Sequence, residues 1–437
     1  MPKIVSSLLT TALGILLGVA TLAGILGGGF AVTMARDFSV PASASGAEAR
    51  IPVRASAPAD DDRIPVAVLL GTNGSVATDA LGPYEVLARS ARFHVYTVSV
   101  RREPVPFSGG LAALPDYAVD DVLSGAAPEP AVVVVPAMAD PDAAAEAPLR
   151  ALIERTARRG NAVFGVCAGA RVLAATDVLD GKRATSFWSD IPALRSSHPE
   201  TRWEDGVRWV QDGMVLTTAG VSSGIAGALH LVERYVGTDE ATRIAAAIGY
   251  PAWQPGPAET MPVNTVALAD YPYPLAATLP WFQPTYGLAL ADGVGEIGVA
   301  AAAELYGGAA FIAHVVPVAD GGVVRTAHGL TLLTTPRDRA GEFDRVITPG
   351  GRESGESAFD PVLRDIARQA GESVARTAAK YIEYPVGALP DGGTLPVRLV
   401  LLGAGAVALA AAIGIIPWAI RRARRRENPR PRVPSIT

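Results

Sequence analysis

Only one of the 437 residues is a cysteine, Cys167, so no disulfide can form within the chain. No paired Cys or Cys/His spacing suggests a structural zinc site. Charge is also scarce: Asp, Glu, Lys and Arg make up 19% of residues, and the formal net charge is -5. The basic residues are scattered except at the far C-terminus, which excludes the electrostatic footprint of a nucleic-acid binder. Five histidines are present and none has metal-ligand spacing. No metal or organic cofactor is therefore expected. What the chain has in quantity is apolar side chain, 49% of residues. That is enough for two or three domains with proper cores, so disorder is not the default.

Two uncharged runs account for much of that apolar content. Residues 4–35 exceed the roughly 20 residues a bilayer-spanning helix needs, and residues 399–420 form a second run, placed as a transmembrane helix over 398–420. The first reads as a transmembrane helix or signal anchor. An A-x-A spacing at Ala42 and Ala44 keeps a cleaved signal peptide open as the other reading. The second run is followed at once by Arg421, Arg422, Arg424, Arg425 and Arg426, a stop-transfer pattern. Arginine clusters are retained on the cytoplasmic side. The expectation is a two-pass cell-membrane protein with both termini cytoplasmic, a basic tail over 421–437 and its soluble domains outside the cytoplasm.

Between these runs, residues 36–62 are rich in Ala, Ser and Pro and read as a linker. From Ile64 onward, strand patterns alternate with helical ones. IPVAVLL leads into TDALGPYEVLARSA; FHVYTVSV alternates as a strand; AVVVVPAM is continuously apolar; PLRALIERTARRG is amphipathic; NAVFGV is a strand again. WVQDGMVLTTAG reads as a hairpin and SSGIAGALHLVERYVG as a long helix. This alternation calls for an α/β fold with a doubly wound, mostly parallel sheet whose functional residues sit at the strands' carboxyl ends. The first domain is placed at 63–255 and a connector at 256–285. Residues 286–390 then read as a second, truncated repeat of the same fold. PYEVLARSA is echoed by AAAELYGGA, FHVYTVSV by FIAHVVPV, AVVVVPAM by FDRVITPGG, and DEATRIAAAIGYP by ESVARTAAKYIEYP. The second copy lacks the stretch that carries the cysteine.

The segments FGVCAGARVLAATDVLDGKRATSFW and DGMVLTTAGVSSGIAGALHLVERYVG closely resemble the nucleophile half of the ThiJ/PfpI superfamily, which has a flavodoxin-like, class I glutamine amidotransferase-like fold. The nearer resemblance is to the subgroup of isonitrile hydratases and amidase-like domains of AraC-type regulators. TDALGPYEVLA looks like that subgroup's acidic segment. The resemblance covers about residues 64–250, and no helix-turn-helix pattern follows. It implies a reactive thiol at Cys167 and an acid/base at Asp79.

The residues themselves support part of this. A strand ending at Val166 and a helix beginning near Gly169 would leave Cys167 at a helix N-terminus, where backbone dipoles favour a thiolate. Gly169 is needed because the sharp turn leaves no room for a side chain. The competing readings are that Cys167 is a small buried hydrophobe and that Asp79 is a helix N-cap. Ala137, Ala168, Gly169 and Trp188 are expected to border the guest, Ala137 through a backbone N–H able to stabilise developing negative charge. Ala168, Phe187 and Ala137-Met138 depart from the family's Thr, His and Gly-Gly. His198 and His230 read as structural, Glu85 and Glu304 occupy matched repeat positions, and Asp190 is undecided. Two functions follow. One is a Cys-dependent hydrolase or hydratase acting on a small molecule. The other is a catalytically silent ligand- or redox-sensing ectodomain. The expected partners are a small molecule, the membrane, and either a homodimer mate or an intramolecular pairing of the two repeats.

Overall fold

A computed structural model describes residues 2–41, 62–250, 253–350, 356–387, 389 and 397–427. Most of the expected linker, the Ala42/Ala44 spacing, Gly351 and residues 428–437 lie outside these. The chain forms two compact units. One comprises residues 1–34, 274–282 and 396–437, the other residues 35–273 and 283–395.

The first unit is a helical hairpin. The helices Pro2–Asp37 and Val397–Glu427 are long and apolar enough to cross a membrane. They run antiparallel: the Arg421 guanidinium donates to the Ser6 and Thr10 hydroxyls, at 2.7 and 3.0 Å. Gly14 lies against Gly414, and Gly18 lies against Ala410 and Gly414. Small residues spaced four apart let helix backbones approach closely where lipid gives no hydrophobic drive to pair.

The second unit is built on a seven-stranded sheet. Its strands are β1 (Ile64–Leu69), β2 (Phe93–Ser99), β3 (Tyr117–Ala118), β4 (Val132–Val135), β5 (Ala162–Gly165), β6 (Trp209–Asp212) and β7 (Val215–Thr218). The order is β6-β7-β5-β4-β1-β2-β3, and every pairing is parallel except the β6–β7 hairpin. The four valines of β4 are all buried, as a central parallel strand covered on both faces requires. Strand β2 differs from its alternating pattern, since all seven of its residues are buried. Helices are α1 (Ala77–Ala88), α2 (Ala147–Arg158), α3 (Gly169–Ala174), α4 (Ser223–Tyr235) and α5 (Thr238–Ala247). One core cluster joins Leu69, Tyr96 and Val135 of the sheet to Leu149, Leu152 and Ile153 of α2.

Residues 285–384 in the same unit form a smaller parallel sheet. It consists of β8 (Thr285–Ala289), β9 (His314–Ala319), β10 (Thr335–Pro336) and β11 (Arg345–Ile347), in the order β10-β9-β8-β11. Helix α6 (Glu296–Ala303) follows β8, and α7 (Phe359–Ala370) and α8 (Glu372–Tyr381) close the segment. Two short hairpins, one from each half, merge into a four-stranded antiparallel sheet through the pairs Thr331–Leu114 and Leu332–Ala113.

Candidate functional site at the Cys167 elbow

Strand β5 ends at Gly165, and four residues later, at Gly169, the chain enters α3. Cys167 makes the turn with φ 56, a left-handed conformation that costs a non-glycine residue roughly 1–2 kcal/mol. A Cβ on Gly169 would collide with the Val135 carbonyl, so only glycine lets the elbow sit on the end of β4. The sulfur is buried and accepts from the backbone N–H groups of Ala168 and Val221.

Asp79 is the third residue of α1 and fully buried. It is not an N-cap: its Oδ2 accepts from the Ala137 N–H, 3.1 Å away beyond the end of β4. Its Oδ1 meets no conventional donor; the weak S–H donor of Cys167 is the side chain that hydrogen-bonds to the carboxyl. Burial pushes the Asp79 carboxyl well up, against the lowering effect of the Ala137 N–H, and the nearby Glu304 carboxyl adds to the rise. Burial likewise pushes the Cys167 thiol up, and the Asp79 carboxyl adds to that. The expected ionised thiolate is thereby corrected. Helix α3 has only six residues, and the cost of desolvating a charge outweighs the pull of so short a dipole. At neutral pH Cys167 rests as a thiol beside a buried carboxyl that holds its proton more tightly than an exposed one.

One further expectation needs correction. The Ala137 N–H is already taken by Asp79, so it is not free to receive a developing anion. Gly169 is buried, with the Val135 and Pro136 backbone where its side chain would be. Ala168 is half-buried, with its N–H turned to the sulfur. Trp188 does line a cavity, of about 210 Å³, whose other walls include Thr185, Ser186, Ile191, Met261, Asn264 and Glu383. Cys167 is not on that wall, but Ser186 is, and its hydroxyl donates to the Cys167 carbonyl at 3.2 Å. Phe187 packs against Trp188 and Tyr381.

The remaining candidates resolve as follows. His230 stacks on Trp209 and bonds Gln211 at 2.6 Å, and His198 ends a short helix over Ile191–Ser197; both are structural. Asp190 is pushed up by burial, with Arg171 opposing. Glu85 accepts the Ile297 N–H at the start of α6 at 2.7 Å and pairs with Arg89 at 2.6 Å. Glu304, just past α6, accepts from the Ser108 hydroxyl at 2.6 Å, which itself accepts from the Ala77 N–H at 2.8 Å, and its carboxyl also faces the Thr78 N–H at the start of α1. Each half thus supplies the carboxyl that caps the other half's helix. Among the described residues no group of His, Cys, Asp and Glu is arranged to hold a metal.

Glu383 escaped sequence reasoning. It follows α8 with φ 49, is buried, and accepts the Gly220 N–H. Burial raises it to about 7, opposed by the Gly220 bond and by Arg208. The signal available was the echo of IGYP by IEYP, a glutamate standing where the first half has Gly249.

Fold and site together define a parallel α/β protein with a lone cysteine on a strand-to-helix elbow beside a buried acid. The DJ-1/PfpI family model matches residues 65–234. Isonitrile hydratase of Pseudomonas putida is 31% identical over 200 residues, covering 43% of this chain and 81% of that protein. The HTH-type transcriptional regulator GlxA of Rhizobium meliloti is 31% identical over 105 residues, 23% of this chain and 32% of the regulator. Among solved structures, Drosophila melanogaster DJ-1beta is 24% identical, covers 42% of this chain and 96% of its own, and has a TM-score of 0.38. The chain belongs to the DJ-1/PfpI family.

Proposed function

We infer that this protein is a membrane-anchored, Cys167-dependent hydratase or hydrolase acting on a small molecule outside the cytoplasm, and that residues 286–390 are a truncated repeat paired with the first domain. The observation that carries the chemistry is a strained cysteine whose sulfur faces two backbone N–H groups and a buried acid. A neutral pair suffices for addition to a carbon–heteroatom multiple bond. The sulfur attacks carbon as Asp79 gives its proton to the substrate, and Asp79 takes up the thiol's proton. Water then adds to the same carbon, and the sulfur leaves, recovering its proton through Asp79. General acid–base help of this kind is worth about 10²–10⁴ in rate. Likeness to isonitrile hydratase makes isonitriles the first substrates to assay, with amides and aldehydes beside them.

The test is turnover by the full chain in detergent, wild type against Cys167→Ser and Asp79→Asn. Loss in both variants supports the enzyme. Turnover unchanged in Cys167→Ser overturns it and leaves the second reading, a silent ligand-binding ectodomain. That reading is favoured by the sulfur's absence from the cavity wall and by Ala168 and Phe187 in place of Thr and His. For orientation, Ser196 is exposed. A Ser196→Cys variant lacking Cys167 should react in whole cells with an impermeant thiol reagent; protection there would reverse the proposed topology.

A further inference from the structure

A groove of about 650 Å³ runs between the two helices of the hairpin, within the first unit. Its walls are apolar except for the hydroxyls of Thr10 and Thr11, and both of these donate to carbonyls one turn back, Thr10 to Ser6 at 2.8 Å and Thr11 to Ser7 at 3.1 Å. The walls therefore suit a hydrocarbon guest. Along the first helix the groove reaches from Thr10 to Leu22, and along the second from Trp418 back to Val407, which is about 18 and 17 Å at 1.5 Å per residue. One leaflet of a bilayer is about 15 Å of hydrocarbon, half of the roughly 30 Å core. The groove thus has the length of a single acyl chain.

One end of this groove is basic and the other is not. At the Trp418 end the Arg422 guanidinium lies 5.2 Å from the centre of the Trp418 ring, and Trp418 is itself groove wall. Across from it the Arg421 guanidinium reaches over to the first helix and donates to the hydroxyl of Thr10, another wall residue, at 3.0 Å. Arg422 and Arg424 are both exposed. Residues 2–34 and 397–426 include no Asp or Glu, so no carboxylate from either helix stands beside these arginines. The guanidinium fork matches phosphate oxygens, and a cationic mouth on a hydrocarbon slot has the polarity of a phospholipid. A second copy of the hairpin fits less well. Copies that share one orientation in a membrane would bring a second set of arginines to the same end, where like charges repel.

We propose that the hairpin groove binds one anionic phospholipid, with an acyl chain along the groove and the phosphate at Arg422 and Arg424. The proposal rests on the hairpin crossing a bilayer and is independent of Cys167. In the orientation proposed above, the arginine end lies at the cytoplasmic leaflet, whose surface anionic lipids make negative.

Native mass spectrometry of the full chain in detergent tests this, with palmitoyl-oleoyl phosphatidylglycerol and the phosphatidylcholine of the same chains as probes. The first phosphatidylglycerol should bind about 25-fold more tightly than the first phosphatidylcholine, about fivefold for each of the two arginines. Replacing both, Arg422→Gln with Arg424→Gln, should remove most of that preference. Ala411 is an exposed wall residue, so Ala411→Trp fills the groove with an apolar side chain and keeps the arginines. It should weaken binding of both lipids. Equal affinity for the two lipids, or a preference unchanged by the arginine replacements, overturns the phosphate contact, and binding unchanged in Ala411→Trp overturns the groove. A lipid-free dimer that Ala411→Trp breaks would put a second copy there and overturn the proposal as well. Flotation with phosphatidylcholine vesicles separates the membrane reading from the lipid site. A chain that floats yet shows no phosphatidylglycerol preference loses the lipid site alone, whereas a folded chain that does not float loses the anchor and the lipid site with it.

Discussion

The half of the molecule that carries Cys167 and the half that follows it each place a helix after the first strand of a parallel sheet, and the third residue of that helix differs in what it does. In the first, the third residue of α1 is Asp79, whose carboxyl spans to the Ala137 N–H past the end of β4. In the second, the third residue of α6 is Gly298, packed so tightly on Gly350 past the end of β11 that a Cβ would meet the Gly350 carbonyl. One half keeps a reactive group where the other closes the gap with backbone. The second half also gives groups to the first, Glu304 to the start of α1 and Glu383 to the loop before α4.

The sharpest way to break this comparison is to alter the matched third residues. Asp79→Asn should lower turnover by about 10²–10⁴, the range for a lost general acid. Gly298→Ala should instead destabilise the fold by roughly 1–3 kcal/mol through overpacking, with kcat per folded molecule retained. Equal kinetic losses would mean the halves share one site. Next in size is a pH effect from Glu383. Its folded pKa of about 7 lies above the ordinary 4.5, so the folded state holds a proton that the unfolded state has released between those values. Stability from this group is therefore full below pH 4.5 and falls as pH rises to 7, by about 3.5 kcal/mol at ~1.4 kcal/mol per unit. Denaturant unfolding should show that fall in the wild type and a flatter profile in Glu383→Gln. Smallest are the reciprocal caps. Glu85→Ala and Glu304→Ala should each cost roughly 1–2 kcal/mol by the same unfolding measurement, since each strips a partner from buried helix-opening N–H groups. A loss in only one would show that the caps are not equivalent.

Much of the site was legible because its signals are local. The elbow needs a strand, a cysteine and a glycine within a few residues, and Asp79 lies in the first turn of a helix that its own pattern announces. Trp188 was legible for the same reason. The rest depends on contacts across the chain. The Gly220–Glu383 bond spans 163 residues, and nothing near either residue reveals the other. Occupation of the Ala137 N–H by Asp79 and burial of the sulfur are likewise properties of packing, and they reverse the charge state that a helix-terminus argument predicts. Within the fold, the valine run of β4 announced a buried parallel strand. The merged hairpins did not show, because strands of two or three residues carry almost no periodicity. The turn Glu304–Ala309 is π-helical, which no apolar spacing encodes.

The central claim is that Cys167 rests as a neutral thiol hydrogen-bonded to Asp79. Because the chain has a single cysteine, the infrared S–H stretching band, taken as the difference between wild type and Cys167→Ser, reports on this one group. The account predicts a band that persists at pH 8 and shifts in Asp79→Asn. A band already absent at pH 7, the mark of a thiolate, would contradict it.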